Sequence, residues 1–294
     1  MMGTHKEVPL AEQHAPAPTH ASATGQALTE AHYLDTHYEA CRPEYEAMLR
    51  AAGFAPGSHV LDAGCGGGSF LPLLAELVGA TGRLTALDLA PDNVAAVRER
   101  LAAWALPCPV EAQAGGVTAL PFADATFDAV WCANVLMYLD DDACAAALAE
   151  FRRVTRPGGL VAVKELDVAF SLVYPATPGL SWRLWDGLFG AGVGTGPLRS
   201  HALRRLMEAA GFAAVRQRTT VVERWAPLRP VERRLWGGIY AHFAGQSEAL
   251  ALPEADRDFW REQRDPASPG AIINHPEFYL SEGDVLAVGI VPAA

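Results

Sequence analysis

Val60-Leu-Asp-Ala-Gly-Cys-Gly-Gly-Gly68 runs from a short apolar strand into a glycine loop, and Phe70–Val78 continues it as a helix. Glycines let the backbone approach a ligand closely, and the helix start offers free N–H donors. The dinucleotide fingerprint GxGxxG is not completed, because Ser69 stands where the last glycine belongs. Asp62 precedes Gly64 by two residues, and a carboxylate there favours a cation and repels a pyrophosphate. The ligand read from this loop is therefore zwitterionic, such as an amino acid bearing a sulfonium.

The surrounding sequence repeats the strand–helix rhythm. Leu84–Leu87 is a second strand that ends at Asp88, about 20 residues beyond Gly68, the spacing at which an acid accepts both ribose hydroxyls of a nucleoside. Pro91–Ala105 reads as a helix, Pro109–Gln113 and Phe127–Cys132 as strands, and a helix from about Asp142 to Val154 carries Asp caps. Arg156-Pro-Gly-Gly159 is a turn before the fifth strand, Leu160–Glu165. Ser200–Ala210 is helical, and Val215–Arg224 and Asp284–Val291 supply two further strands. Continuous apolar strands alternating with helices predict a mostly parallel sheet covered on both faces.

Length and composition bound the rest. A chain of 294 residues suggests one elaborated domain or about two simple ones. Lys and Arg number 23 against 34 Asp and Glu, a net charge of −11, which disfavours nucleic acid as a partner. No apolar run reaches the roughly 18 residues needed to span a bilayer, and the N-terminus shows no signal-peptide core, so a cytoplasmic location is expected with no membrane partner. Five dispersed cysteines and scattered histidines (His5, His14, His20) suggest no metal site. Residues 1–28, poor in large apolar side chains, read as a disordered tail, with order from about Thr29 and a helical stretch Tyr33–Gly53 broken near Pro43. The core then spans about 40–168, 199–226 and 284–294 of a single domain, 29–294. Two aromatic insertions, about 169–198 and 227–283, fall beyond the carboxyl ends of the strands, where they can cap a pocket. The glycine run Gly187–Gly196 lacks a phosphate-loop ending and reads as part of such a lid.

Four elements in order, DAGCGGG, LDL, LPFADATFD and RPGG, give a chain that resembles the class I S-adenosylmethionine-dependent methyltransferases, in particular the small-molecule branch of ubiquinone and menaquinone biosynthesis. The resemblance implies a Rossmann-like, doubly wound, mostly parallel seven-stranded sheet with helical, aromatic-rich lids, and S-adenosylmethionine as cofactor. It places Gly64, Cys65 and Gly66 along the methionine portion with Asp62 at its amino group, Asp88 on the ribose, and Leu89 and Asn93 at the adenine. The family's usual acid before the LPF proline is missing, since the stretch reads Gly115-Gly116-Val117, so Gly116 and Val117 serve adenine through main-chain groups, a water or another side chain. Asn134 matches the position whose carbonyl faces the cofactor ammonium, Arg42 the arginine pairing with its carboxylate, and Tyr33 and Tyr38 residues closing over the methyl group.

The acceptor side is read from residue chemistry. Tyr38, Tyr138, Tyr174, Trp185, Trp236 and Tyr240 are the candidates to line an acceptor pocket, and Glu165, His201 and His242 the candidates for a base. A base is dispensable if placing the reactants in contact supplies most of the acceleration. The expected activity is methyl transfer to a small, largely apolar or aromatic acceptor in specialised metabolism, with oxygen favoured over carbon or nitrogen. The alternative is a cyclase or pericyclase that binds the same cofactor without methyl transfer. The only macromolecular partner kept open is a second copy, as a homodimer.

Overall fold

A computed structural model describes residues 20–192 and 196–293. Seven strands, β1 (His59–Ala63), β2 (Arg83–Asp88), β3 (Val110–Ala114), β4 (Phe127–Ala133), β5 (Thr155–Tyr174), β6 (Ala213–Trp225) and β7 (Tyr279–Ile290), form one sheet in the order β3-β2-β1-β4-β5-β7-β6. β1 to β5 are mutually parallel, and β7 runs antiparallel between β5 and β6. The expected mostly parallel, Rossmann-like seven-stranded sheet is present. From β1 the chain winds outward through β2 and β3, then returns to β4 on the other side. This reversal splays the carboxyl ends of β1 and β4 apart and opens a crevice there. Asp62 pairs in register with Ala86 of β2 and Trp131 of β4, so the glycine loop leaves the sheet at that reversal.

The helices bury the faces that their apolar spacing dictates. α3 (Leu71–Val78) places Leu71, Leu74, Ala75 and Val78 against the sheet, and α4 (Pro91–Ala103) places Val94 and Val97 there. They close a core with Val60, Leu84, Trp131 and Ala162. On the opposite face, α5 (Asp141–Val154) starts where the Asp140 carboxylate accepts the Ala143 N–H at 2.8 Å. It buries Cys144, Ala147, Leu148 and Phe151, and α8 (Leu203–Ala209) adds Leu203 and Met207 over Leu61, Val130 and Val163.

A third cluster lies beyond the strand ends. The remaining helices are α1 (Ala31–Ala40), α2 (Arg42–Ala52), α6 (Leu180–Gly190), the one-turn α7 (Gly196–Arg199), α9 (Pro230–Ser247) and α10 (Glu254–Glu262). Tyr33 of α1, Tyr45 of α2, Leu184 of α6, Trp236 and Tyr240 of α9 and Trp260 of α10 pack together there with Phe278. The two aromatic insertions thus join the N-terminal helices in one layer. None of the helices among the described residues is long and apolar enough to cross a membrane.

Two expected boundaries are corrected. β5 and β7 do not stop at the core. After an irregularity beyond Asp167 they pair again, Leu172 with Ser281 and Tyr174 with Tyr279, so 169–174 and 279–283 are strand rather than lid. The β-forming run Phe170–Tyr174 extends the strand beside the backbone of β7. The tail also orders before Thr29. Ser22 is buried with its hydroxyl 2.8 Å from that of Thr29, the Ala23 N–H donates to Asp92 at 3.0 Å, and the His20 ring stacks on Tyr33. His5, His14 and the Val193–Thr195 part of the glycine run lie outside the described residues.

One ionic contact crosses these layers. Lys164 of β5 and Asp284 of β7 form an ion pair with 1% and 0% of their side chains exposed. Removing one partner of such a pair leaves an uncompensated buried charge. Lys164→Ala is expected to lower stability by about 3–5 kcal/mol, read by urea unfolding. The double change Lys164→Met with Asp284→Leu should recover much of that loss, and a single change costing under about 1 kcal/mol would show the pair to be inert.

Candidate functional site

The glycine loop is a tight cradle. The Gly64 and Cys65 N–H groups both donate to the Leu87 carbonyl, at 2.7 and 2.9 Å, which fastens the loop to the end of β2. Gly64 has φ +79°, and a Cβ there would lie 2.3 Å from Val135 Cγ2; Gly66 has φ +52°, and its Cβ would lie 2.4 Å from Leu34 Cδ1. Only glycine meets both the backbone angles and the close approach.

Two carboxylates converge on this loop. Asp88 Oδ2 accepts the Gly66 N–H at 2.8 Å, while its Oδ1 accepts from the Ala90 N–H at 2.9 Å and Asn93 Nδ2 at 3.2 Å. Asp62 is 2% exposed, and its Oδ2 has no hydrogen-bond partner. Burial, with the Asp88 charge added, pushes the Asp62 carboxyl up to about 8. The buried Oδ1 of Asn93 is also unpartnered. Such groups are costly to leave unmade, and they mark where a polar ligand belongs. Leu89 stands 63% exposed beside Gly116, its Cδ1 3.8 Å from where a Gly116 Cβ would be. A flat apolar ligand edge has an open platform there. Val117 turns its side chain into the core with Leu87 and Leu120, so only its main chain can serve the site.

α1 lies across the loop. Cβ atoms built on Gly66 and Gly67 would meet Leu34 and Ala31. Asp35 is the fastening: its carboxylate accepts from Ser69 Oγ at 2.8 Å and forms an ion pair with Arg100, whose Nη1 also donates to the Gly67 carbonyl at 2.6 Å. Tyr33, on the same helix, is 6% exposed and packs in the aromatic layer.

Residues 60–159 match the family described as "Methyltransferase domain". Among curated proteins the chain is 37% identical to a malonyl-[acyl-carrier protein] O-methyltransferase of Serratia marcescens over 142 residues, 48% of this chain and 50% of the relative. It is 36% identical to a chloroplastic 2-phytyl-1,4-beta-naphthoquinone methyltransferase of Arabidopsis thaliana over 118 residues, 40% of this chain and 44% of the relative. The matching segment spans about 39–58% of the length of the first relatives. Among solved structures the fold is similar to the YcgJ protein of Bacillus subtilis (TM-score 0.54, 15% identity, 86% of this chain and all of that one). It is also similar to a Haemonchus contortus phosphoethanolamine N-methyltransferase 2 (TM-score 0.51, 14% identity, 90% of this chain and 59% of that one).

Around the glycine loop, several expected contacts fall elsewhere. Arg42 pairs with Glu39 one turn away and stands in the solvent-exposed end of α2. With Tyr38, whose ring packs edge-on against Phe70, it lines a depression of about 380 Å³ between α1 and α3. The Arg42 guanidinium is satisfied locally by this i,i+3 carboxylate. Glu165 is not a free base at a strand end. Its carboxylate accepts the Val135, Leu136 and Met137 N–H groups at 3.0, 2.8 and 3.1 Å, and burial brings it up to about 7. It holds the turn after β4. His201 is exposed beside edge strand β6, with three strands between it and β1. His242 is buried in α9, where burial lowers its basicity.

The acceptor candidates divide likewise. Trp236 and Tyr240 are buried in the aromatic layer, and Trp185 packs there on Phe189 and Phe243. Tyr138 is 37% exposed, at the turn Glu165 holds. Tyr174 is 50% exposed at the far end of β5, outside that layer. Asn134 has φ +56°, with its N–H on the Lys164 carbonyl at 2.8 Å and its Oδ1 accepting from Lys164 Nζ at 2.9 Å. The side chain is thereby engaged by the protein, and its carbonyl is what remains for a ligand.

Residues absent from the sequence reading gather behind Asn134. Lys164 lies 4.0 Å over the Tyr45 ring, the Tyr45 hydroxyl is 3.0 Å from His37 Nε2, and Cys41 faces Glu282 of β7. The legible sign was a lysine directly after the apolar run Leu160–Val163 and an acid opening Asp284–Val291.

The site has a pH signature. Asp62 holds a proton in the fold that the unfolded chain releases near pH 4, so its contribution to stability is present below that and is lost as pH rises through about 8. Asp62→Asn should flatten the fall of stability between about pH 5 and 8 by up to one proton, about 1.4 kcal/mol per unit, in thermal or urea unfolding. An unchanged slope would contradict the burial of that carboxyl. Asp35→Ala, which frees α1, should raise amide exchange across residues 31–40 at least about fivefold, with α5 unaffected; equal protection would show that the helix is held by other contacts.

Proposed function

We propose that this chain transfers the methyl group of S-adenosylmethionine to the oxygen of a small, largely apolar or aromatic acceptor. The unpartnered, buried Asp62 Oδ2 at the glycine cradle carries the cofactor reading. A carboxylate with nothing to bind is matched by an ammonium, and the same loop has no side chain that would welcome a pyrophosphate. The donor set fits the remainder of the cofactor. Asp88 spends its two oxygens on N–H donors yet keeps lone pairs for ribose hydroxyls, Asn93 Oδ1 is available, and Leu89 offers an apolar face to adenine. S-adenosylmethionine, when bound, supplies a methyl group on a sulfonium, ready for in-line displacement.

This chain's own part is to hold and to exclude water. Asp62 takes the ammonium as a carboxylate, releasing its proton. α1 closes over Gly66 and Gly67, and Tyr33 seals the side next to the aromatic layer. Trp236, Tyr240 and Trp185 offer the acceptor an apolar wall. With Glu165 committed to three N–H groups, the proton of the acceptor hydroxyl passes to solvent or to a group other than the three proposed from sequence. Positioning supplies the acceleration. The oxygen preference is supported by the similarity to the O-methyltransferase of Serratia marcescens, and the aromatic acceptor by the lining of this layer. An acceptor of specialised metabolism fits both.

Calorimetry should show one S-adenosylmethionine bound per chain, with Asp88→Ala weakening it at least about 30-fold, the effect of about 2 kcal/mol expected for a lost set of charged hydrogen bonds. Unchanged affinity in that variant would sink the site assignment. With methyl-labelled cofactor and a panel of phenolic and carboxylic acceptors, label in the product and formation of S-adenosylhomocysteine are expected. Conversion of an acceptor without either would favour the cyclase reading.

A further inference from the structure

Behind the aromatic wall, three side chains of metal-binding type meet that no role above uses. His37 and Cys41 lie four residues apart at the end of α1, and Glu282 reaches them from β7, 241 residues away from Cys41. One ligand atom from each lies within 4.8 Å of the others. Cys41 is completely buried, and the one acceptor for its thiol is Glu282 Oε1 at 3.9 Å. Zinc bonds of about 2.3 Å to sulfur and 2.0 Å to oxygen at a tetrahedral angle separate the two ligand atoms by about 3.5 Å, so the observed gap needs to close by only a few tenths of an ångström.

The charges around this point are incomplete. Lys164 is committed to Asp284, Asn134 and the Tyr45 ring, and Arg224 to Glu44 and Glu232, which Arg229 also joins. Glu282 has no ion-pair partner among the described residues. A carboxylate and a thiolate beside a neutral imidazole neutralise one divalent cation. The Tyr45 hydroxyl on His37 Nε2 fixes the ring, as an outer contact does for a metal-bound histidine.

We propose that His37, Cys41 and Glu282 bind a divalent transition metal of zinc type. The N, S and O donors suit zinc rather than magnesium or calcium, and three protein ligands leave a coordination position open. Binding expels the thiol and carboxyl protons to solvent. Because two ligands sit on α1 and the third on β7, the metal ties the helix that covers the glycine loop to the sheet. The site stands whether or not the chain transfers methyl groups.

The test uses the full-length protein, stripped with a chelator and titrated with cobalt(II) alone. One equivalent is expected to bind, with a thiolate-to-cobalt charge-transfer band that zinc(II) abolishes. Cys41→Ser should lose the band, and Glu282→Gln and His37→Gln should weaken binding at least tenfold, while Cys108→Ser, a buried thiol elsewhere, leaves both unchanged. Glu282→Gln preserves side-chain volume, so it decides the matter if Cys41→Ser does not fold. Absence of the band, or binding unaltered in Glu282→Gln, overturns the proposal. Cofactor affinity measured on the same samples tests the functional reading separately.

Discussion

The Lys164 ammonium is the point on which the site side of the sheet is built. Burying an ammonium costs several kcal/mol, and the cost is tolerable only with close, well-chosen partners. Asp284 supplies the charge, Asn134 Oδ1 a hydrogen bond at 2.9 Å, and the Tyr45 ring its face at 4.0 Å. These partners come from β7, from the exit of β4 and from α2, so one cation fixes three elements against β5. The ammonium and the Asp284 carboxylate are in direct contact, and both side chains are shut off from water.

From Lys164 the constraint passes to the glycine loop through short links. Asn134 sits in the left-handed region, which asparagine tolerates better than most residues, and Lys164 grips it at both main chain and side chain. The next residue, Val135, is the one that leaves no room for a Cβ at Gly64. Glu165, adjacent to Lys164, takes the N–H groups of Val135, Leu136 and Met137. Two consecutive charged residues in an apolar strand therefore hold the floor of the cradle. Glu165 acts as a positioning residue, and its buried carboxylate is satisfied by main-chain donors rather than held ready for a substrate proton.

What could be read from the chain was what its local spacing carries. The strand–glycine–helix passage, the positions of Asp62 and Asp88 and the succession of seven strands along the chain follow from period, turn residues and carboxylate position; the order of the strands within the sheet does not. What could not be read was long-range partnership. Arg42 has the sequence context of a ligand-binding arginine, yet Glu39 three residues earlier satisfies it. Glu165 looked like a strand end because the apolar run stops there, but the ladder to β7 carries β5 on to Tyr174. His37 and Cys41 gave no motif because Glu282, which joins them, arrives from the last strand.

The placement of α1 joins the two halves of the molecule. Its Leu34 and Asp35 face the glycine loop and Arg100, while its Tyr33, Ala40 and the following Cys41 belong to the aromatic layer. Leu34 leaves no room for a Cβ at Gly66, and Tyr33 of the same helix packs in the layer, so a movement of α1 is felt on both sides. The glycine cradle and the aromatic layer are thus mechanically coupled through one ten-residue helix. Such coupling needs no long pathway, since one packed element with two arrangements suffices.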